Sequence, residues 1–463
     1  MKKIAVLLAA LSFAGAFSCG KTDSSSSSQM TETTSAEAAS TTTSAVTTTA
    51  VSTTSAASAT SATTASATAA IQTTQPPVQS TSSAAVTTVQ QATDAAPVET
   101  QNGKSVEVYS AATASEIWGG EASELLEPDK AVDTSDIGAH EVTLACKRGD
   151  KTENVKVMYQ VVDTEKPMIL NGGWSTCHVV NTPFDLSDYV GFADNYDRHP
   201  TLTYTGTVDT NVLGDYPITA TVTDSSGNSE SWDLTITVAE SKPSPQDNNP
   251  RVSFRDFTEK YAGEGRRFGI DVSTWQGNVD FNAVKADGCS FVVIRLGYYY
   301  SKPVLDDYFR QNLENAKAAG LDVGVYLYTA DNTEEGVREH ARWIAEELGD
   351  TKLELPVAFD WEEFANFQQY GMSIHDLNQL YLAFADELSK HGLKCMLYSS
   401  KNFLNNFWYE STKAAHPVWL AHFVDETDYA GKYAIWQASC YGKINGIAGD
   451  VDMNILYEPL PLE

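Results

Sequence analysis

Leu355-Pro356-Val357-Ala358-Phe359-Asp360-Trp361-Glu362 alternates two kinds of side chain. In an extended strand successive side chains point to opposite faces, so Val357, Phe359 and Trp361 share an apolar face while Ala358, Asp360 and Glu362 share the other. Such a strand has helices on one side and a narrow polar interior on the other. Seven more strand-like runs accompany it: Phe268 to Ser273, Phe291 to Tyr298, Asp322 to Thr329, Lys394 to Ser399, Val418 to Phe423, Tyr433 to Ala438 and Gly449 to Ile455. Helix-like stretches, Asp306 to Ala319, Thr333 to Leu348 and Asp376 to His391, fall between them. Strands and helices in turn predict an α/β fold, a closed β/α barrel over residues 265–463.

In such barrels the working residues sit where strands end. Asp271 lies near the end of the first run, Asp360 and Glu362 at the exit of the fourth, and Asp452 in the last. The shared strand face of Asp360 and Glu362 predicts a separation of about 7 Å. Crowded carboxylates raise one another's pKa, so one can stay protonated as a general acid while its neighbour is charged. Cleavage of a glycosidic bond needs such a pair.

Upstream, Ser241 to Pro250 is broken by prolines, which predicts a linker over residues 241–264. Residues 105–163 and 164–240 hold an internal repeat: Val132-Asp133-Thr134 with Gly138 recurs as Val208-Asp209-Thr210 with Gly214. Alternating β-formers and Asx-rich turns predict two all-β sandwich modules, the first degenerate. Asp194, Asn195 and Asp197 lack the regular ligand alternation of a calcium loop and read as an Asx-rich turn. Residues 20–104, mostly Ser, Thr and Ala, cannot bury enough apolar surface to offset ordering entropy and read as a disordered tether.

Lys2 and Lys3 precede an apolar run from Ile4 to Phe17, so residues 1–19 read as an export signal. Ala16-Phe17-Ser18-Cys19 resembles a bacterial lipoprotein signal, in which Cys19 would carry a lipid; ordinary signal cleavage and free secretion is the alternative. None of the other five cysteines is in a C-x-x-C pair or at metal spacing from a histidine, so no metal site and no cofactor is expected. A disulfide between Cys146 and Cys177 suits an exported protein. Residues 105–463 hold all but four of the 31 basic and all but five of the 61 acidic residues. That acidic balance, without a basic cluster, excludes nucleic acid as a partner and leaves the membrane reachable only through an N-terminal lipid.

The barrel segment resembles the lysozymes of glycoside hydrolase family 25. The motifs are Phe268-Gly269-Ile270-Asp271-Val272-Ser273 with Trp275-Gln276-Gly277, then Phe291 to Gly297, Gly320 to Tyr326, Pro356 to Glu362 with its Asp-x-Glu, Trp419-Leu420-Ala421, Trp436-Gln437 and Val451-Asp452-Met453-Asn454. The resemblance spans nearly all of Phe268 to Leu460, and the second β module resembles immunoglobulin-like modules of bacterial surface proteins. It implies cleavage of the β-1,4 bond between N-acetylmuramic acid and N-acetylglucosamine in peptidoglycan glycan strands. It maps the proton donor to Glu362, its acidic companion to Asp360 and supporting acids to Asp271 and Asp452. Tyr328, in Tyr326-Leu327-Tyr328 where the family often has Tyr-His-Phe, is expected to line the site. So is Trp436, as a sugar platform, with Gln437 beside it as a polar contact for an N-acetyl group and Arg295 paired to a rim acid. Retaining and inverting mechanisms need the same acids and stay open. The rival reading is a non-catalytic wall-binding or adhesion protein; against it, all four acids are intact.

Overall fold

A computed structural model of the chain describes residues 99–170, 175–243, 249–300 and 302–459. The signal at 1–19, Cys19 and all but the end of the tether lie outside the described residues.

Eight strands form the barrel: β1 (Arg266–Val272), β2 (Phe291–Tyr299), β3 (Asp322–Thr329), β4 (Val357–Trp361), β5 (Cys395–Ser400), β6 (Val418–Ala421), β7 (Ile435–Lys443) and β8 (Val451–Tyr457). They pair in the order β7-β6-β5-β4-β3-β2-β1-β8, and β7 bonds back to β8 to close the ring. Strands β1 to β7 run parallel. The last strand differs: β8 is antiparallel to both neighbours. Only a short segment joins β7 to β8, and a parallel return would need a crossover of a dozen residues or more. Reversal puts the start of β8, with Asp452, at the same mouth as the ends of the parallel strands.

Parity sorts the side chains into two cores. Val357, Phe359 and Trp361 join the large cluster between strands and helices, while Ala358 joins a separate cluster with Phe291, Val293, Met396, Trp419, Ile435 and Leu456 inside the barrel. The helices follow from spacing and caps. Glu334–Leu348 buries Val337, Ala341, Ile344 and Leu348, one stripe at helical period, and starts where the Thr333 hydroxyl accepts the Gly336 N–H. Ile374–Lys390 starts at a capping box: Ser373 Oγ accepts the Asp376 N–H and Asp376 Oδ2 accepts the Ser373 N–H.

The segment expected to be linker is partly folded. Val252–Ser253 pairs with β7, and helix Phe254–Lys260 buries Phe254 and Phe257 against the barrel. Prolines break only its first half. The tether also ends sooner than its composition suggests, since Glu99–Glu107 is a strand parallel to Lys151–Val162. Gly103 permits this: a Cβ there would lie 2.7 Å from the Ile117 carbonyl and 2.8 Å from Val157 Cγ1.

The first module is a three-stranded sheet completed by Gly138–Arg148. The second packs a four-stranded sheet, with Gly214–Thr223 and Ser229–Ala239 at its centre, over the pair Met168–Leu170 and Gly191–Ala193. The repeat is structural too. Asp133 Oδ1 accepts the Ser135 N–H and Asp209 Oδ1 the Asn211 N–H, and Gly138 and Gly214 each open a strand at positive φ, 139° and 155°. The expected disulfide is not formed: Cys146 is a thiol inside the first module, while the Cys177 thiol donates to the Ser241 carbonyl.

The helix before the barrel can be tested directly. Phe257, 2% exposed, sets its ring 5.0 Å from Tyr261 and 6.0 Å from Phe268. Phe257→Ala is expected to cost about 3–5 kcal/mol of barrel stability in denaturant unfolding. An unchanged midpoint would return residues 251–264 to the status of linker.

Candidate active site

Strand parity and the reversed β8 bring Asp271, Asp360 and Asp452 to one end of the barrel interior, with Glu362 at its mouth. Asp271 and Asp452 are register partners across the β1–β8 seam. Asp360 lies between Tyr328 on β3 and Tyr398 on β5 in the strand register. The strand stops one residue before Glu362, at Trp361, and Glu362, with φ −127° and ψ 14°, caps a 3₁₀ turn over Glu363–Asn366. The two acids stay neighbours, close enough for the Glu362 charge to act on Asp360; Asp360 is buried and Glu362 is partly exposed.

Neutral donors hold the first of these acids. Asp271 Oδ2 accepts from Gln437 Nε2 at 2.9 Å and Asn454 Nδ2 at 2.7 Å. Tyr398 donates to Gln437 Oε1 at 3.0 Å, and Trp419 to Asn454 Oδ1 at 2.8 Å. Burial lifts Asp271 to about 6, and these donors limit the rise. Asp452 is pushed far above the carboxylate range by burial and then by the Asp271 charge. Asp360 is likewise raised, first by burial and then by Glu362, and its Oδ1 is enclosed with no hydrogen-bond donor among the described residues. Glu362 is lifted to about 7, by burial first and by Glu363 second.

Glu363 was not singled out from the sequence. Its Oε1 accepts from Tyr328 at 2.9 Å, and its Oε2 from Asn366 at 2.6 Å and Tyr370 at 3.3 Å. Tyr328 thus reaches the site wall through the next acid along the chain. Asp306 was missed as well: it begins a helix-like stretch, but the helix starts at Phe309. Its buried carboxylate instead takes Arg295, with Nε at 2.8 Å, and the backbone N–H groups of Thr274 and Tyr308. Arg295 therefore pairs with a loop acid beside the four rather than with one of them.

Two expectations are corrected. Trp436 points outward, because its neighbours Ile435 and Gln437 point inward; it is 4% exposed, meets Tyr261 edge-on and donates to the His422 carbonyl. It has no open face for a sugar. Gln437 is not free for an N-acetyl group, since both ends of its amide serve the Asp271 network. The exposed aromatics lie elsewhere on the mouth: Trp275, 58% exposed, just past β1, and Tyr300, 47% exposed, just past β2 with its ring 5.8 Å from Tyr328. Position straight after a strand was the signal that could have ranked them first. Trp361 and Trp419 are core residues.

Comparison with known proteins follows the same partition. Residues 270–447 match the sequence model of the glycosyl hydrolases family 25, and residues 168–238 that of the bacterial surface protein Ig-like domain. The chain is similar to the autolytic lysozyme of Clostridium acetobutylicum, 32% identical over 189 residues that cover 40% of this chain and 54% of that protein. It is similar to lysozyme M1 of Streptomyces globisporus, 29% identical over 205 residues covering 40% of this chain and 66% of that one. The chain thus spans between half and two thirds of the length of these relatives. Among solved structures, a family 25 glycosyl hydrolase from Bacillus anthracis is 23% identical, with a TM-score of 0.37, over 41% of this chain and 88% of that one.

Raised carboxyl pKa values set a pH dependence of stability. Glu362 is held protonated in the folded chain up to about 7, against 4.5 when exposed. Its contribution is complete below pH 4.5 and is lost as pH rises through 7. Glu362→Gln removes that loss, so its unfolding free energy is expected to match the parent near pH 4 and exceed it at pH 8, by up to ~3 kcal/mol. A pH-independent difference would mean that Glu362 titrates normally.

Proposed function

We propose that this chain, which carries a family 25 glycosyl hydrolase domain at residues 270–447, is a peptidoglycan hydrolase that cleaves the β-1,4 bond between N-acetylmuramic acid and N-acetylglucosamine. The observation that carries this reading is the acid pair at the barrel mouth. Glu362 keeps its proton to about neutral pH; with that proton in place its charge no longer raises Asp360, whose charged form Arg295 favours, and one Asp360 oxygen has no donor among the described residues. In this reading Glu362 protonates the leaving glycosidic oxygen. The positive charge that grows at the anomeric carbon is then met in one of two ways. The substrate's 2-acetamido carbonyl attacks, with Asp360 stabilising the oxazolinium-like ion, or Asp360 activates a water and the configuration inverts. Asp271 acts by setting the field at Asp360, Asp452 supports Asp271 through a side-chain hydrogen bond, and Trp275 and Tyr300 offer faces on which pyranose rings can stack.

Incubation of the chain with purified peptidoglycan, followed by mass analysis of new reducing ends, decides the bond. Muramic acid ends are expected; glucosamine ends, or no release, would overturn the reading. Glu362→Gln is expected to lower turnover by about 10² to 10⁴ while wall binding persists. Glu363→Gln removes a negative charge that raises the Glu362 pKa, so the alkaline limb of the pH–rate profile should move to lower pH. A limb that stayed in place would assign it to another group.

We also propose that the protein is exported and works on the cell wall, held at the membrane by a lipid on Cys19 and spaced from it by residues 20–104. Cys19→Ala is expected to shift the protein from the membrane fraction to the medium. Unchanged partition would refute the anchor.

A further inference from the structure

Three carboxylates converge away from the barrel interior, where the second module meets both the first module and a barrel helix. Asp163 follows the last strand of the first module, Asp194 follows the strand Gly191–Ala193, and Asp224 follows the strand Gly214–Thr223. All three are buried, and each offers an oxygen within 4.8 Å of the others. The donors recorded at Asp194 and Asp224 are neutral amides: the Tyr196 and Asp197 N–H groups at 2.9 and 2.6 Å, and Asn228 through its backbone N–H and Nδ2 at 2.8 and 2.9 Å.

One oxygen among the three points to a ligand. Asp163 is 6% exposed, and its Oδ2 is enclosed with no hydrogen-bond donor among the described residues. Asn195, also 6% exposed, donates its side-chain amide to Asp194 at 3.3 Å. A neutral donor leaves the repulsion among three buried carboxylates in place, and a cation that their oxygens share would relieve it.

We propose that Asp163, Asp194 and Asp224 bind one calcium ion. Calcium takes six to eight oxygens at 2.3–2.6 Å in irregular geometry, so oxygens on opposite sides of it stand about 4.8 Å apart. Magnesium would demand a tighter octahedron and keep more of its water.

The ion would act on the joint between module and barrel. Backbone carbonyls of Asp194 and Asn195 accept the Ile374 and His375 N–H groups, at 2.7 and 3.3 Å, at the start of helix Ile374–Lys390. Arg198, in the same loop, grips Asp376 through Nε and a terminal nitrogen at 2.8 and 2.9 Å. From the first module Tyr109 stacks on His375 with centroids 3.5 Å apart. Holding the Asp194–Asn195 loop therefore fixes the acceptors that the helix uses, and the Asp163 ligand ties in the end of the first module.

The test uses the full chain in EDTA, with calcium chloride and with magnesium chloride. Calcium is expected to raise the melting temperature by ~5 °C or more at saturation, and magnesium by less. Asp163→Asn and Asp224→Asn should each abolish the rise. In EDTA Asp163→Asn should melt no lower than the parent, since a like charge has gone, which separates lost binding from misfolding. Calcium should also slow tryptic cleavage after Arg198. Equal melting in EDTA and calcium, a rise retained in both variants, or cleavage after Arg198 indifferent to calcium would each overturn the proposal.

Discussion

Closure of the barrel through one antiparallel seam governs what the interior can contain. Had β8 run parallel, Asp452 would stand near the floor of the barrel. Run in reverse, it faces Asp271 in register at the mouth, and both neighbours of β8 are held by its ladder. Gln437 and Asn454, themselves register partners, are then delivered beside Asp271 as donors. The apolar side chains below, among them Phe291, Met396 and Leu456, keep water out of the floor. Excluding water on one side and crowding carboxylates on the other is the combination that drives carboxyl pKa values upward.

The rise differs from acid to acid. Asp271 has donors to stabilise its charge and rises least among the buried aspartates; Asp452 and Asp360 lack that support and rise further. Glu362 sits at the edge, where the chain leaves the strand and Glu363 adds a second negative charge. The chain turns into a 3₁₀ helix just after Glu362, which is partly exposed, so a proton there can be exchanged with a bound molecule. The same turn places Glu363 where Tyr328, Asn366 and Tyr370 converge on it.

Period-two alternation made the barrel legible, because helices cover one face of each strand and a narrow interior takes the other. Val357, Phe359 and Trp361 could be assigned outward from the sequence alone, and so could the inward acids. Strand direction could not: Gly449 to Ile455 reads the same whichever way it runs. Nor could a strand's end, since no residue type at Glu362 announces that ψ turns there. Trp436 illustrates a different limit. An aromatic beside a polar site residue suggests a platform, but a neighbour in sequence lies on the opposite face of a strand, and Gln437 had already taken the inward place. At the front of the domain the prolines of residues 241–250 masked a helix that begins only four residues later. Glu99 to Lys104 was hidden because its polar residues join the sheet by backbone pairing and by the space a glycine leaves.

Two acid clusters in one chain show how the surroundings decide what buried carboxylates do. In the barrel, the acids lie beside an Arg295–Asp306 pair, a tyrosine-lined wall and an opening to solvent, so protons can enter and leave. Protonation relieves the repulsion there, and a group that holds its proton to neutral pH has become a potential acid catalyst. At the second module the carboxylates stand at strand ends and turns, with amide donors at Asp194 and Asp224 and an enclosed Asp163 oxygen that has no donor among the described residues. A buried carboxylate oxygen in that position is stabilised only if something positive lies beside it. One cluster is built so that a proton can be lost, and the other so that a cation can be kept.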